Sequence, residues 1–402
     1  MIQQVQKGHT LLVKGPTRVV LLEGKIDILG KVFIPQKQEE KNTLIIPSAN
    51  TYPLHAVEDT KLDIFTRNEE NIKLVEENTI NKEWGKTKDT IIQLIKKKNQ
   101  DNKPLIVMVL GISCGKTTLI KYLANNILKA GLKGGYLDSD LGQQTLFLPT
   151  TLNIGEIKDY IISNSDLETE DTVFIGSTYP KSNLKFIVAH ACKSLIDNYI
   201  KRHEDTDVIL IDSDGWIKTE AGIVYKNFFI DKIDPDVLII FHDDSIEELK
   251  EIEKNASKSK NRKIILLKEE NKYFYEKDKE ERRFLRQSQF AKFLENFRKI
   301  SIPLDDIKFI KYDYDKENDT VLEQDVDLRE LIKLPYHYVI IALLDENSKL
   351  IKIGLLFIIN IEKDYILLFS DLSFKEQQRV RKILLGSLRL STKGNHQGYL
   401  YL

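Results

Sequence analysis

Cysteine is nearly missing from this chain: 402 residues carry two, Cys114 and Cys192. Two thiols cannot build a disulfide framework, and no Cys/His group has the spacing of a metal-ligand set, so both are expected to be reduced. Long apolar runs are missing as well. The longest candidate, "IGLLFIINI" from Ile353, falls short of the roughly 18 residues a membrane-spanning helix needs, so no membrane partner is expected. The first residues, "MIQQVQKGHT", do not follow the charged-then-apolar layout of a secretory signal, which points to the cytoplasm or, in a eukaryotic cell, the nucleus. An excess of either charge is absent too. Sixty basic against 61 acidic residues leave a net charge of −1, so any nucleic-acid contact has to be local, not a property of a basic domain.

What is present is ordinary globular composition, 42% hydrophobic and 30% charged, enough apolar surface to offset chain entropy. The length exceeds a single core, and at roughly 100–200 residues per domain three domains are expected. Residues 1 to about 65 alternate β-rich runs ("HTLLVKG", "TRVVLLEG", "KIDILG", "KVFIPQ", "NTLIIP") with Gly, Pro and Asn, the pattern of a small antiparallel sandwich or barrel. Arg67 to Lys103 reads as a linker followed by a charged helix, "KDTIIQLIKKKNQDN". From Pro104 to about Ile300, strand-like runs alternate with helical patterns: "PLIVMVL", "GGYLDSD", "DTVFIGS", "DVILIDSD", "DVLIIF" and "RKIILLK". Strands that are apolar throughout suit a parallel sheet covered on both faces. The tail returns to strands, then a helix over "SFKEQQRVRKILLG" and a last strand pair. The expected architecture is thus α/β: a central α/β domain with a parallel sheet (86–300), which the loop described next makes a P-loop NTPase domain, an N-terminal β-sandwich with linker (1–85) and a C-terminal β-rich or α+β domain (301–402).

"VMVLGISCGKTTLIKYL" runs a buried strand into Gly115-Lys116-Thr117 and then into a helix whose Leu119, Ile120, Leu123, Ile127 and Leu128 share one face. At such a helix start, free N–H groups and the macrodipole attract phosphate, a lysine reaches the β- and γ-phosphates, and the threonine hydroxyl can hold magnesium. Gly111, Ser113, Cys114, Gly115, Lys116, Thr117 and Thr118 are the candidate nucleotide-binding residues. One departure from G-x-x-x-x-G-K-[ST] is Leu110, which stands where the first glycine belongs, with Gly111 one place later. Cys114 reads as a small residue that fits a tight turn. A P-loop enzyme also needs an acid on a neighbouring strand. Two segments offer one: "YLDSDLGQQ", with Asp138, Asp140 and Gln143, and "VILIDSDGW", with Asp212 and Asp214. Hydrophobic pattern alone does not choose between them.

Five motifs in order carry a resemblance: the P-loop, "DSDLGQ" (D-x-D-x-G-Q), "GSTYPKSN" (Gly176 to Asn183), "DSDGWIK" (a T-x-G-W motif with Ser213 for Thr) and "RRFLRQSQF" (an R-x-x-x-R lid). Together the chain resembles the polynucleotide 5′-hydroxyl kinase family, which includes the mRNA cleavage-factor kinase subunit, nucleolar pre-rRNA kinases and archaeal relatives. The resemblance implies transfer of the γ-phosphate of ATP or GTP, with Mg²⁺, to the 5′-hydroxyl of an RNA or DNA end. It also implies possible RNA-processing protein partners. Carried over by position, Lys116 and Thr117 keep their phosphate and magnesium roles, and Asp140 accepts the hydroxyl proton. Asp138 and Gln143 order magnesium and acceptor, and Thr178 and Ser213 contact the substrate side. Trp216 stacks on a base, while Arg282 and Arg286 close as a lid from one helical face. A basic residue often found at the position of Gln289 is lacking. Two other readings are weaker: a GTPase switch would need Asn-Lys-x-Asp, which "NKEW", "NKYF" and "NRKI" do not supply, and an inert nucleotide-binding scaffold has only Leu110 and Ser213 in its favour.

Overall fold

The computed structural model describes residues 1–98, 103–163, 166–268, 272–273 and 275–401. At its centre lies a seven-stranded sheet, ordered Asp171–Phe174, Thr151–Glu156, Gly134–Asp138, Val208–Asp212, Leu105–Leu110, Val237–Phe241, Lys263–Leu267. The last five of these neighbours pair in parallel. The strands read as continuous apolar runs because helices cover both faces: Val107, Val109, Leu210 and Ile239 sit in one core, Met108, Ile209, Ile211 and Ile240 in the other. Each such side chain contributes about 1.5–3 kcal/mol by leaving water.

Two β-rich domains flank this sheet. The N-terminal one stacks a four-stranded and a five-stranded sheet over a core that includes Leu11, Val13, Leu54, Leu62 and Ile64. The C-terminal one is an eight-stranded sheet. The α/β class and its β-rich flanks are therefore as the sequence implies. Among the described residues no helix is long and apolar enough to cross a membrane.

Three local expectations are corrected. Within the expected linker, Ile72–Val75 forms a strand that pairs with Thr10–Lys14 and completes the five-stranded sheet; four residues with β-competent spacing are too few to register as a pattern. The following helix spans Lys82–Lys98, and 99–102 of the segment lie outside the described residues. Thr151–Glu156 runs antiparallel to both its neighbours, so the sheet is parallel only over its other strands. Its Asn153 is buried and paired with Gln144 Oε1 at 2.7 Å, a polar position that hides a strand from a hydrophobic reading. The stretch "SFKEQQRVRKILLG" is helical only over Phe374–Gln377, started by a Ser373/Glu376 capping box. Lys382–Leu390 is instead a strand between Val339–Leu344 and Lys308–Asp315. Here cross-strand burial of Ile383, Leu384 and Leu385 outweighs local helix propensity.

The flanking domains position the centre. Asn125 on the P-loop helix donates to the Leu29 and Ile161 carbonyls, both at 2.9 Å, and accepts from Ile161 N–H at 2.6 Å, which seats the sandwich on that helix. On the opposite side, Gly176 holds φ 75° with the Gly386 backbone against it, and its carbonyl accepts from Ser387 and Leu388 N–H at 2.8 and 2.9 Å. A Cβ on Gly176 would lie 2.2 Å from Gly386 Cα. Gly176→Ala is therefore expected to destabilise the protein by about 2–5 kcal/mol, from left-handed backbone strain plus overpacking against immovable backbone. An unchanged urea midpoint would refute it.

Candidate active site

The strand Leu105–Leu110 ends fully buried at Leu110, so the turn begins one residue later, at Gly111 with φ 154°. A Cβ there would meet Cys114 Sγ at 2.5 Å and Phe241 Cβ at 2.8 Å. Glycine is therefore required at 111, and Leu110 belongs to the sheet, which explains the shifted motif. Ser113 (φ 47°) and Gly115 (φ 95°) complete the loop, and Gly115 caps the helix Lys116–Lys129. Thr118 lies in that helix's first turn. The Lys116 ammonium donates to the Gly111 carbonyl at 2.8 Å, spanning the loop from within. Burial pushes the Cys114 thiol up to about 11 despite nearby Lys116, so this cysteine is an inert filler of the turn.

Register brings the two acidic segments together. Asp138 and Asp212 are direct partners at the carboxyl ends of adjacent parallel strands, so both candidates face the loop. The carboxylate that meets Thr117 is Asp212: Thr117 Oγ1 donates to Asp212 Oδ2 at 2.6 Å, and Tyr136 OH donates to the same oxygen at 3.1 Å. Asp138, expected to help order magnesium, is fully buried, with Oδ1 accepting from Asp140 N–H and Oδ2 from Thr145 N–H. Asp138 shapes the turn that carries Asp140. That residue accepts Gly142 and Gln143 N–H at 2.9 and 3.0 Å, both on Oδ1. Among the described residues Asp140 Oδ2 has no protein donor.

Charge in this pocket is unbalanced. Asp214 is paired with Lys226, wholly buried at 2.8 Å, which leaves the three carboxylates of Asp138, Asp140 and Asp212 with two ammoniums, Lys116 and the buried Lys121, acting on them. Burial, then Asp212 and Asp140, hold Asp138 well above the usual carboxylate range; burial, then Asp214, raises Asp140; and burial raises Asp212 against the pull of Lys116. Such a cluster favours an added cation.

Above the loop stands the helix Lys279–Leu294, opened by an Asp278/Glu281 capping box. Arg282 reaches down to Ser113 Oγ at 2.9 Å. Arg286, one turn on, is held below the usual guanidinium range by burial, with the charges of Tyr399 and Asp140 acting against that. Gln143 Nε2 donates to the Arg282 carbonyl at 3.3 Å, and Gln289 Nε2 to the Gln144 carbonyl at 2.9 Å. The residue in the place of the missing basic side chain thus fastens the helix to the D-x-D-x-G-Q turn. Phe290 and Leu294 anchor its far end in the C-terminal core.

The remaining positions divide. Thr178 hydrogen-bonds Tyr399 OH at 2.6 Å. Trp216 is half-buried, its ring 5.9 Å from that of Tyr225, and its backbone N–H donates to Asp214 Oδ1 at 2.8 Å. Ser213 is buried, and its hydroxyl donates to the Val109 carbonyl at 2.7 Å, tying two sheet strands together. Sequence reasoning missed Lys226, although a lysine on the apolar face of Glu220–Ile233, beside Tyr225, Phe229 and Ile230, is a legible sign of a buried partner. It also missed Tyr399, which no pattern links to Thr178.

A phosphate loop on a parallel sheet, faced by acids and roofed by arginines, defines a P-loop nucleotide-binding domain. Residues 111–296 match the family model of the mRNA cleavage and polyadenylation factor CLP1 P-loop, in keeping with the family that the five motifs resemble. The polyribonucleotide 5′-hydroxyl-kinase of Methanocaldococcus jannaschii is 25% identical over 74% of this chain and 90% of its own length. That of Pyrococcus abyssi is 30% identical over 51% of this chain, and that of Thermococcus kodakarensis 32% over 39%; these two matches span 55% and 44% of the relatives' lengths. A solved structure of Clp1p in complex with Pcf11p superposes with TM-score 0.69 over 97% of both chains at 13% identity, a likeness of fold.

Proposed function

We propose that this protein is a polynucleotide 5′-hydroxyl kinase that transfers the γ-phosphate of ATP or GTP to the 5′ end of a strand, RNA first. Phosphoryl transfer is mostly positioning and charge neutralisation, and the site supplies both. Lys116 exchanges its Gly111 carbonyl for the β- and γ-phosphates, and Arg282 and Arg286 close over them from the lid. A small hard cation fits the oxygen donors here, Thr117 Oγ1 and Asp212, since magnesium is held by one or two carboxylates with water and phosphate completing its shell. Bound there, it would neutralise developing phosphate charge. Asp140 Oδ2 accepts the proton of the 5′-hydroxyl, the hydroxyl oxygen bonds to the γ-phosphorus, and the bond to the β-phosphate oxygen breaks with the electron pair leaving on the diphosphate.

The observation that carries this reading is the free Asp140 oxygen, set between P-loop and lid while the other oxygen is pinned by two backbone donors. Both motif departures that favoured an inert scaffold have structural places: Leu110 closes the strand and Ser213 bridges two strands. The test is labelled γ-phosphate transfer to matched 5′-hydroxyl RNA and DNA oligonucleotides. Product on RNA is expected, and no product on either with any divalent metal would overturn the kinase. Trp216, with one face on Tyr225, offers its exposed part to the terminal base. Trp216→Ala should raise the acceptor KM about tenfold with no base preference, within the ~1–3 kcal/mol of a stacked base; an unchanged KM would return the ring to the core.

A further inference from the structure

The lid helix bears more positive charge than the reacting end needs. Arg283 and Arg286, with Thr178 and with His396 and Tyr399 of the C-terminal strand pair, line a cavity of about 340 Å³, within the size range of small-ligand sites. Arg282 has Glu276 at 3.5 Å, but among the described residues neither Arg283 nor Arg286 has a carboxylate at ion-pair distance. Burial, then Arg283 and Arg286, hold the His396 imidazole below its usual range, as expected where positive charge lacks a counter-charge. The cavity joins the reacting end through shared groups: Arg286 senses Asp140, and Tyr399 is bonded to Thr178. From Tyr399 a series of rings leads outward. Tyr179 lies edge-on at 5.3 Å, Tyr401 is near-parallel at 6.0 Å and 58% exposed, and Lys181 sits 4.4 Å over the Tyr401 ring. Unpaired cations beside a row of aromatic faces are what a single strand requires, one set for its phosphates and the other for its bases.

We propose that this cavity binds the first internucleotide phosphate of the acceptor strand, 3′ of the reacting hydroxyl, and that Tyr401 is a stacking platform for the bases that follow. The inference rests on the kinase reading for which end reacts, and its test is separable from it. Binding of a 5′-hydroxyl RNA octamer is measured by anisotropy across a KCl series, alongside phosphorylation. Arg283→Ala should weaken octamer binding about tenfold and lower the slope of log K against log salt by about 1; Arg283→Lys should restore the slope. Tyr401→Ala should cost about tenfold with the slope retained. If wild-type protein transfers phosphate while both variants bind and respond to salt as wild type does, the subsite is wrong and the kinase stands. Should the binding losses occur with no transfer by wild type, the subsite stands and the kinase is wrong. Unaltered RNA binding with loss of a protein partner instead would also overturn the subsite.

Discussion

Lys116→Ala is expected to remove phosphoryl transfer, lowering kcat/KM by about a thousandfold or more, while the protein stays folded. The ammonium lies within the loop and acts on both Asp140 and Asp212, while Lys226 is committed to Asp214. Its single contact in the loop is the Gly111 carbonyl, a half-buried bond whose loss costs about 1 kcal/mol. The phosphate charge it would meet in the transition state is worth far more in a water-poor site. Urea melts and labelled-phosphate transfer measured on the same preparation decide this. Transfer within tenfold of wild type would mean that this loop does not hold the triphosphate.

Asp140→Asn should lower kcat by roughly 10²–10⁴ and leave nucleotide affinity within about twofold. The amide oxygen of Asn can still accept the Gly142 and Gln143 N–H bonds that shape the turn, so the backbone is preserved and only the base is lost. Burial raises the Asp140 carboxyl above its ordinary value. A base works deprotonated, so the wild-type rate should fall as pH drops through that raised pKa, above the usual carboxylate value of about 4, and the variant should lack this acid limb. Equal losses in nucleotide binding and kcat would assign Asp140 a structural role instead.

Much of the site could be read before any coordinates, because its chemistry is written in short contiguous segments. A glycine-flanked Lys-Thr after an apolar run, an Asp-x-Asp after a strand, and two arginines four apart are local statements, and the backbone delivers them as such. The fate of Asp138 and Ser213 was not local. Each side chain's partner, Thr145 N–H for one and the Val109 carbonyl for the other, is set by a turn or by the neighbouring strand, so burial could not be inferred from type and spacing. The lost helix after Ser373 has the same origin. A capping box and helix-forming residues specify a start, but the vacancy between two strands, in which Ile383, Leu384 and Leu385 become buried, determines how the segment continues.

By itself the sequence determined a P-loop, the acids that end its neighbouring strands and a pair of arginines one helical turn apart, since apolar periodicity and phosphate-binding chemistry act over a few residues. Tertiary structure alone decided which acid meets Thr117, which oxygen of Asp140 stays free, and that Thr178 and Tyr399, 221 residues apart, share one cavity. Register across parallel strands and docking of separate domains bring distant groups within bonding reach, and hydrogen bonds and desolvation discriminate at distances that spacing along a chain does not encode.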